Sequence, residues 1–300
     1  MINTILKSTA VLGLVTLGIG AAVPVVANAD EVGSIDTTAG ITFTPTTDPT
    51  SPITPTDPDN PGNTGNPDKP VVPLDPEGNP DGDKGTNGPL SLDYASNFDF
   101  GVQKVTSRTV EYPATAQMFG ADEDGNTPDP SVLFAQVSDN RGTANGGWTL
   151  TVKQNGQFKD AKKNELTGAA ISIKNLSAAT QANATSRPAM PGADITNLDP
   201  TGADAPVVMS AEAGAGQGTW VARMGNLNRD LDLNGKTYNA AGKEITRPVD
   251  NAVTLNVPGY ANKMTDSAYT TKLTWSLNTL PENEQPTTPE TEQPNTGENN

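Results

Sequence analysis

Closely spaced carboxylates are the residues of this 300-residue chain whose types could perform catalysis. Glycosidases hold two carboxyl groups across a cleft, one as a proton donor and the other as a base or nucleophile. The adjacent Asp122, Glu123 and Asp124 have suitable side chains, but neighbours within one loop do not face each other across a cleft. The chain also has few aromatic residues to line a long glycan cleft. We therefore do not expect a glycoside hydrolase.

The residue types of most other catalytic sites are missing from the sequence. It contains neither cysteine nor histidine, which excludes disulfides, thiolate nucleophiles, Cys/His zinc sites and Ser-His-Asp triads. Without disulfides, the folded part must be stabilised by a hydrophobic core of its own. These exclusions predict a protein that is not an enzyme and has no cofactor.

One acidic segment begins like a calcium-binding loop. In residues 230–235, acidic or amide residues alternate with leucine and are followed by glycine, as in loops that wrap a calcium ion. The twelfth position of such a loop supplies a glutamate that binds the ion through two oxygens, and here it is Ala241. We therefore expect a polar hairpin and no metal site. Similar spacing in residues 75–83 lies among few apolar residues, so we interpret it as solvating charge.

Two tryptophans stand at matching places in segments that alternate apolar and polar residues. Each begins a Trp-x-Leu triplet, at Trp148 and at Trp275. Exposed indole rings stack on sugar faces and on partner side chains, whereas large apolar residues at a period of two are more often buried. We favour core packing, and both interpretations hold if the two strands pair and their rings line one groove. The candidate binding residues are Trp148, Thr149, Leu150, Trp275, Ser276 and Leu277.

Three further residues are expected to have structural roles. Asp139 and Arg141 flank a turn, and we expect them to pair across it and to seat the strand that begins at Trp148. An exposed ion pair of this kind contributes about 0.2 to 1 kcal/mol, so it bears on local geometry more than on stability. Trp220 lies beside Val221 and an alanine, and we expect it in the core.

The elements that must position these residues are β-strands. Apolar and polar residues alternate in segments 148–152, 253–257 and 273–277, so each segment presents one apolar face. Sustained helical periodicity is absent. The sequence predicts an all-β fold, a two-sheet β-sandwich over residues 89–281 with long loop insertions at 177–200 and 226–250. Further predicted strands are 97–101, 104–111, 132–138, 169–175, 205–210 and 218–223.

The first thirty residues have the features of a secretory signal peptide. Lys7 precedes an apolar stretch, and Ala27-Asn28-Ala29 supplies the small residues of a cleavage site. We expect a signal peptide over residues 1–29. The stretch is short and interrupted by glycine and proline, and no second apolar run of membrane length follows it. The mature protein is therefore expected to be secreted, without a transmembrane anchor.

Polar segments flank the predicted domain. Residues 30–88 are rich in Pro, Thr, Asp and Gly, and residues 282–300 in Pro, Glu, Thr and Asn, so we expect a disordered linker and a disordered tail. The net charge is −16, yet residues 89–281 carry 16 basic and 19 acidic residues, so most of the excess acid lies in the flanks. A near-neutral domain with exposed lysines could approach an anionic surface polymer, whereas nucleic acid is not an expected partner.

Ordered segments of residues 89–281 resemble the WxL domain family. Two of them match the family's naming motifs: Gly146-Gly147-Trp148-Thr149-Leu150-Thr151-Val152 and Leu273-Thr274-Trp275-Ser276-Leu277. Three more are similar, in order, to its opening, to the segment before its first motif and to the strand and turn before its second: Leu90-Ser91-Leu92 through Phe98-Asp99-Phe100-Gly101, Val137-Ser138-Asp139-Asn140-Arg141-Gly142 and Val253-Thr254-Leu255-Asn256-Val257-Pro258-Gly259. The resemblance covers essentially the whole predicted domain.

This resemblance implies a non-catalytic protein held without covalent linkage on the cell wall of a Gram-positive bacterium, with peptidoglycan as the ligand. It also implies a surface complex with a WxL-interacting protein and other WxL proteins. Two alternatives stay open: an interaction module that reaches the wall only through such partners, and an adhesin for host extracellular matrix. Residues 293–298 resemble a sortase signal but lack its leading leucine and following apolar stretch, so covalent anchoring is not expected.

Overall fold

The computed structural model describes residues 41–45, 50–53, 71–81, 85–121, 125, 127–142, 146–180, 189–239, 241–265 and 267–280. The chain forms two compact units, Met1–Phe43 and Thr44–Asn300. Of the first unit, residues 41–43 are described, and they are exposed and without regular secondary structure. The predicted signal peptide (1–29), the predicted tail (282–300) and the acidic cluster 122–124 lie outside the described residues.

The regular secondary structure described in the second unit consists of β-strands. Nowhere in the described ranges is there a helix of the length and apolar character needed to span a membrane. The strands are β1 (Leu90–Ala95), β2 (Val110–Thr115), β3 (Leu133–Asp139), β4 (Trp148–Gln154), β5 (Ala170–Ile173), β6 (Leu176–Thr180), β7 (Met190–Pro191), β8 (Val207–Ala211), β9 (Gly218–Met224), β10 (Leu231–Asp232), β11 (Lys236–Tyr238), β12 (Glu244–Thr246), β13 (Val249–Val257) and β14 (Leu273–Thr279).

The strands form three antiparallel four-stranded sheets and a small hairpin. Sheet A has the order β1-β3-β9-β6, and sheet C the order β14-β4-β8-β7. In sheet B, the long strand β13 pairs with β2, β5 and β10, while β11 pairs with β12. The predicted all-β class is confirmed. Antiparallel sheets packed around a shared core, with no closed barrel in the part of the chain that is described, fit the predicted sandwich.

The main hydrophobic core takes alternate residues from strands of all three sheets. In β4, Trp148, Leu150 and Val152 are fully buried, and the intervening Thr149 and Thr151 are half-buried. Burial of one large apolar side chain contributes about 1.5 to 3 kcal/mol, so this alternation fixes which face of the strand points inward. Trp220 of β9 is also buried in this core, as its sequence context predicted.

Sheet A is buried on both faces, because a second apolar cluster covers the face turned away from the main core. All seven residues of β3 are buried. Phe134 of β3 lies in this second cluster beside Tyr94 of β1 and Val221 of β9. Ile53 and Val71 complete the cluster from outside the sheet. Because both faces are covered, β3 does not alternate buried with exposed residues, and its polar members Gln136, Ser138 and Asp139 are buried too.

The residues that cover this face come from the segment predicted to be a linker. We call residues 51–53 and 71–74 the strap. Gln136 of β3 is fully buried; its Nε2 donates to the Ser51 carbonyl (3.0 Å), and its Oε1 accepts from the Ile53 backbone N–H (2.8 Å). Farther along, Pro73 forms an antiparallel bridge with Phe119. The few apolar residues of this polar segment thus suffice to dock it locally on the sheet.

Two predicted strands are wrong. Residues 97–101 are irregular, and Phe98 and Phe100 pack against the core from this loop. Residues 104–109 form a mostly exposed loop, and β2 begins only at Val110. Apolar alternation does not distinguish a strand from a loop that turns alternate side chains inward.

Both predicted loop insertions contain strands. The range 177–200 includes most of β6 and all of β7, and the range 226–250 includes β10, β11 and β12. The sequence of β6, Leu-Ser-Ala-Ala-Thr, has little β-propensity of its own. Its extended form depends on pairing with β9, from Leu176 opposite Met224 to Thr180 opposite Trp220, a long-range interaction that local composition does not encode.

Candidate functional site

The two motif strands, β4 and β14, are direct neighbours in sheet C. They run antiparallel, with Leu150 opposite Leu277, Val152 opposite Trp275 and Trp148 opposite Thr279. Both tryptophans therefore lie on the same face of the sheet. Because they are four positions apart along the paired strands, their backbones are about 13 Å from each other. The rings occupy different parts of the core.

Trp148 is a core residue that holds a neighbouring loop. Its side chain is fully buried, and its Nε1 donates a hydrogen bond to the carbonyl of Gly216 (3.3 Å). A Cβ at Gly216 would lie 2.9 Å from this indole nitrogen, and Gly216 has a φ of +67°, so only glycine fits there without strain. Gly147, with a φ of +80°, packs equally closely against the backbone at Ala211.

Trp275 lies on an edge strand and is only half-buried. It packs against the main core from the side, and its ring meets that of Phe98 edge to face, with centroids 6.3 Å apart. Such an arrangement is favourable for two aromatic rings. The two motif tryptophans thus share a sheet face but differ in exposure.

The polar positions of both motifs lie on the outer face of sheet C. Thr149 and Ser276 alternate with the inward residues of their strands and are half-buried. Thr151 lies opposite Ser276, and its Oγ1 donates weakly to the Ser276 carbonyl (3.4 Å). The outward side chains of the two paired strands form a surface of hydroxyl and amide groups with one lysine: Thr149, Thr151, Lys153, Thr274, Ser276 and Asn278. We call this set the hydroxyl face.

Asp139 and Arg141 form the ion pair that the sequence predicted, in a more buried setting. The Arg141 Nε and Nη2 donate to the two carboxylate oxygens of Asp139, both at 2.9 Å. The Asp139 side chain is fully buried and that of Arg141 is 19% exposed. Arg141 Nη2 also donates to the carbonyl of Gly147 (3.0 Å), the residue before Trp148. The pair therefore ties the end of β3 to the start of the first motif strand.

Two buried carboxylates away from the motifs have altered acidity. Burial raises the pKa of Asp250 to about 7, although its oxygens accept hydrogen bonds from the backbone N–H groups of Leu133 (2.8 Å) and Ala252 (2.9 Å). Burial also raises the pKa of Asp93. That carboxylate accepts hydrogen bonds from Ser91 Oγ (2.5 Å), Gln136 Nε2 (2.9 Å) and Ser138 Oγ (2.6 Å). Both carboxylates form hydrogen bonds to β3 in the interior: Asp250 to Leu133, and Asp93 to Gln136 and Ser138.

The segment that resembled a calcium loop uses its carboxylates to hold its own fold. Asp230 Oδ2 accepts from the Asn226 backbone N–H (2.7 Å) and from Asn175 Nδ2 (3.0 Å). Asp232 Oδ1 accepts from the Asn234 backbone N–H (2.8 Å). Where the chain is described, no three Asp or Glu side chains come together in a way that could bind a metal ion.

The loop of residues 212–218, which closes over the first motif, was not predicted from the sequence. Besides the contact from Trp148, its Gln217 carbonyl accepts a hydrogen bond from Trp220 Nε1 (2.9 Å). The signal available in the sequence was the spacing of Gly214, Gly216 and Gly218, all of which have positive φ. Glycine at every second position indicates a backbone that turns and is closely approached.

Comparison with known proteins identifies a family. Residues 30–281 match the WxL domain, described as a surface cell wall-binding domain. No curated protein and no solved structure matches the chain. The matched range includes both motif strands, the ion pair and the strap, and it spans most of the chain. This protein therefore belongs to the WxL domain family of surface cell wall-binding proteins.

Proposed function

We propose that this chain is a non-catalytic surface protein of a Gram-positive bacterium, attached to peptidoglycan without a covalent bond. In this proposal, residues 1–29 direct secretion, residues 89–281 form the WxL domain and residues 282–300 are a polar tail. Residues 30–88 connect to the domain, with the strap packed on sheet A. The wall-binding description of the family supports the location.

The observation that carries the proposal is the pairing of β4 with β14. It places the apolar positions of both motifs inward and their polar positions, including Thr149 and Ser276, together on the hydroxyl face. Hydroxyl and amide groups on regular strands are held at fixed spacing, which suits hydrogen bonding to a repeating saccharide. The nearly balanced charge of residues 89–281 would not oppose approach to the wall.

Sedimentation with purified insoluble peptidoglycan tests the proposal. We expect the purified chain to sediment with it at moderate ionic strength, to do so equally after phosphate polymers have been stripped from the wall, and to release no soluble fragments. A chain that stays in the supernatant would rule out direct attachment. Thr149→Val removes one hydroxyl of the hydroxyl face and should weaken sedimentation, whereas Thr167→Val, at an exposed loop position, is the matched control.

A second candidate function is binding of a partner protein through β14. This strand is the edge of sheet C and pairs with β4 alone among the described strands. An edge strand presents unpaired backbone N–H and C=O groups to which another chain can add a strand. A WxL-interacting protein or a second WxL protein would then hold this chain at the surface.

Co-purification and localisation distinguish the two candidates. The partner proposal predicts that surface display is lost from cells that lack the WxL-interacting protein, with no sedimentation of the purified chain on bare wall. Retained display together with sedimentation would favour direct attachment.

A further inference from the structure

A polar cleft of about 350 Å³ opens beside the first motif. It is lined by Thr44, Asp139, Asn140, Gly142, Gln217 and Gly218. Thr44 precedes the strap in sequence, and the other lining residues come from the end of β3, the start of β9 and the loops next to them. The cleft therefore lies where the Asp139–Arg141 pair and the loop held by Trp148 meet.

Gln217, one of the residues that line this cleft, carries an unused hydrogen-bond donor. Its side-chain Nε2 is buried and has no hydrogen-bond partner, although its backbone carbonyl accepts from Trp220. A buried amide donor without a partner lowers the stability of the fold. Such a group is rare in folded proteins and points to a ligand that supplies the missing acceptor.

Two glycines leave the backbone of the cleft open to a ligand. Gly142 and Gly218 have φ values of +95° and +79°, and a Cβ at either position would meet nothing within 4 Å. A ligand can therefore approach the main chain at these points without meeting a side chain. Beside them, the amide of Asn140 offers both a donor and an acceptor.

We propose that this cleft binds the acetamido group of an N-acetylated amino sugar. The acetamido carbonyl would accept from Gln217 Nε2 once that side chain turns from the interior toward the cleft, and the acetamido N–H would donate to the side-chain oxygen of Asn140. The inference rests on the proposed attachment to peptidoglycan and names the chemical group that is recognised. Trp148 acts as a positioning residue, since its indole holds Gly216 immediately before Gln217.

A soluble probe tests the cleft separately from the whole wall. Binding of tetra-N-acetylchitotetraose to the full chain is measured by calorimetry and compared with cellotetraose, the neutral tetramer that has a hydroxyl in place of each acetamido group. We expect the acetylated probe to bind at least about tenfold more tightly, since one such hydrogen bond is worth about 1.4 kcal/mol. Equal affinity for both probes, or no binding of either, would overturn the inference without any need for a variant.

Variants locate the site. Gln217→Leu and Asn140→Ala should each reduce affinity for the acetylated probe about tenfold. Tyr260→Ala should leave it unchanged, because Tyr260 is not among the residues that line the cleft and is 79% exposed. Circular dichroism confirms that each variant is folded. Unchanged affinity in both folded cleft variants would show that the ligand binds elsewhere.

Sedimentation of the same proteins on insoluble peptidoglycan separates the two proposals. If the unmodified chain sediments but shows no preference for the acetylated probe, the cleft assignment is wrong and wall attachment stands. If the chain binds the acetylated probe yet does not sediment, wall attachment is wrong and the cleft assignment stands.

Discussion

Trp148 and Trp275 occupy the same place in their motifs but differ in burial. The alternating pattern predicts that both face inward, and both contact the main core. It does not reveal that β4 is central and β14 is an edge, because strand order follows from pairing between segments distant in the sequence, such as Trp148 with Ala211 in β8 and with Thr279 in β14. The full burial of Trp148 and the half-burial of Trp275 follow from that order.

Substitution of the two tryptophans should therefore have unequal effects on stability. Trp148→Ala removes a fully buried ring and an indole hydrogen bond, and we expect the free energy of unfolding to fall by about 3 to 5 kcal/mol. Trp275→Ala should cost about 1 to 3 kcal/mol, because part of its ring already contacts water. Urea unfolding followed by circular dichroism measures both. Equal losses would contradict the central and edge assignments.

The polar residues of the site were less predictable than the tryptophans. The pairing of Asp139 with Arg141 follows from their spacing around a turn, but their burial does not, since it depends on Gly147 and the start of β4 coming close. Gln217 carried no sequence signal at all. Its unpartnered amide results from closure of the 212–218 loop, a property of tertiary structure.

At the level of elements, the sequence predicts strands where alternation is strong and misses those that depend on a partner. The core strands β4, β13 and β14 coincide with predicted segments, whereas β6 and β10 lie in predicted loops. The strap is the clearest case. Its composition indicates a chain that cannot form a core of its own, but a few apolar residues are enough once sheet A offers a surface that would otherwise be exposed.

Ile53 should contribute to stability even though it lies in a polar segment. It is 7% exposed and sits over Tyr94, Phe134 and Val221. We expect Ile53→Ala to lower the free energy of unfolding by about 2 kcal/mol, the lower end of the range for a buried aliphatic residue. Ile41→Ala is the matched control, since Ile41 is 78% exposed and its loss should cost under about 0.5 kcal/mol. Equal effects in urea unfolding would show that the strap does not stabilise sheet A.

On the scale of the whole molecule, acidic residues occur both in the flanking segments and in the interior of the domain. Most of the net charge of −16 lies outside residues 89–281. Inside, Asp250 and Asp93 are carboxylates whose pKa is raised by burial. Asp75, Asp160 and Asp199 have lowered pKa values because they accept hydrogen bonds within turns. The carboxylates with raised pKa values and those with lowered pKa values make the free energy of unfolding depend on pH in opposite directions.

Between about pH 4 and pH 7, the interior carboxylates should dominate the pH dependence of stability. The unfolded chain has aspartate pKa values of about 3.9, so in this range folded Asp250, with a pKa of about 7, holds a proton that the unfolded chain has released. Stability is therefore greatest at the acidic side and falls as pH rises through 7, by at most about 1.4 kcal/mol per pH unit for one proton. The carboxylates with lowered pKa values lose their contribution to stability only below about pH 4. Urea unfolding at a series of pH values measures the slope.

Asp250→Asn tests whether this one group sets the slope. The amide cannot titrate, and its Nδ2 faces a backbone N–H where Asp250 accepts from Leu133 or Ala252, so the variant should be less stable at acidic pH. Its free energy of unfolding should also change less with pH than that of the unmodified chain. The remaining pH dependence would come from Asp93, whose pKa is also raised by burial. A flat or rising profile for the unmodified chain between pH 4.5 and 7.5 would mean that Asp250 stays ionised. In that case the backbone N–H groups around it, more than its burial, would control its charge.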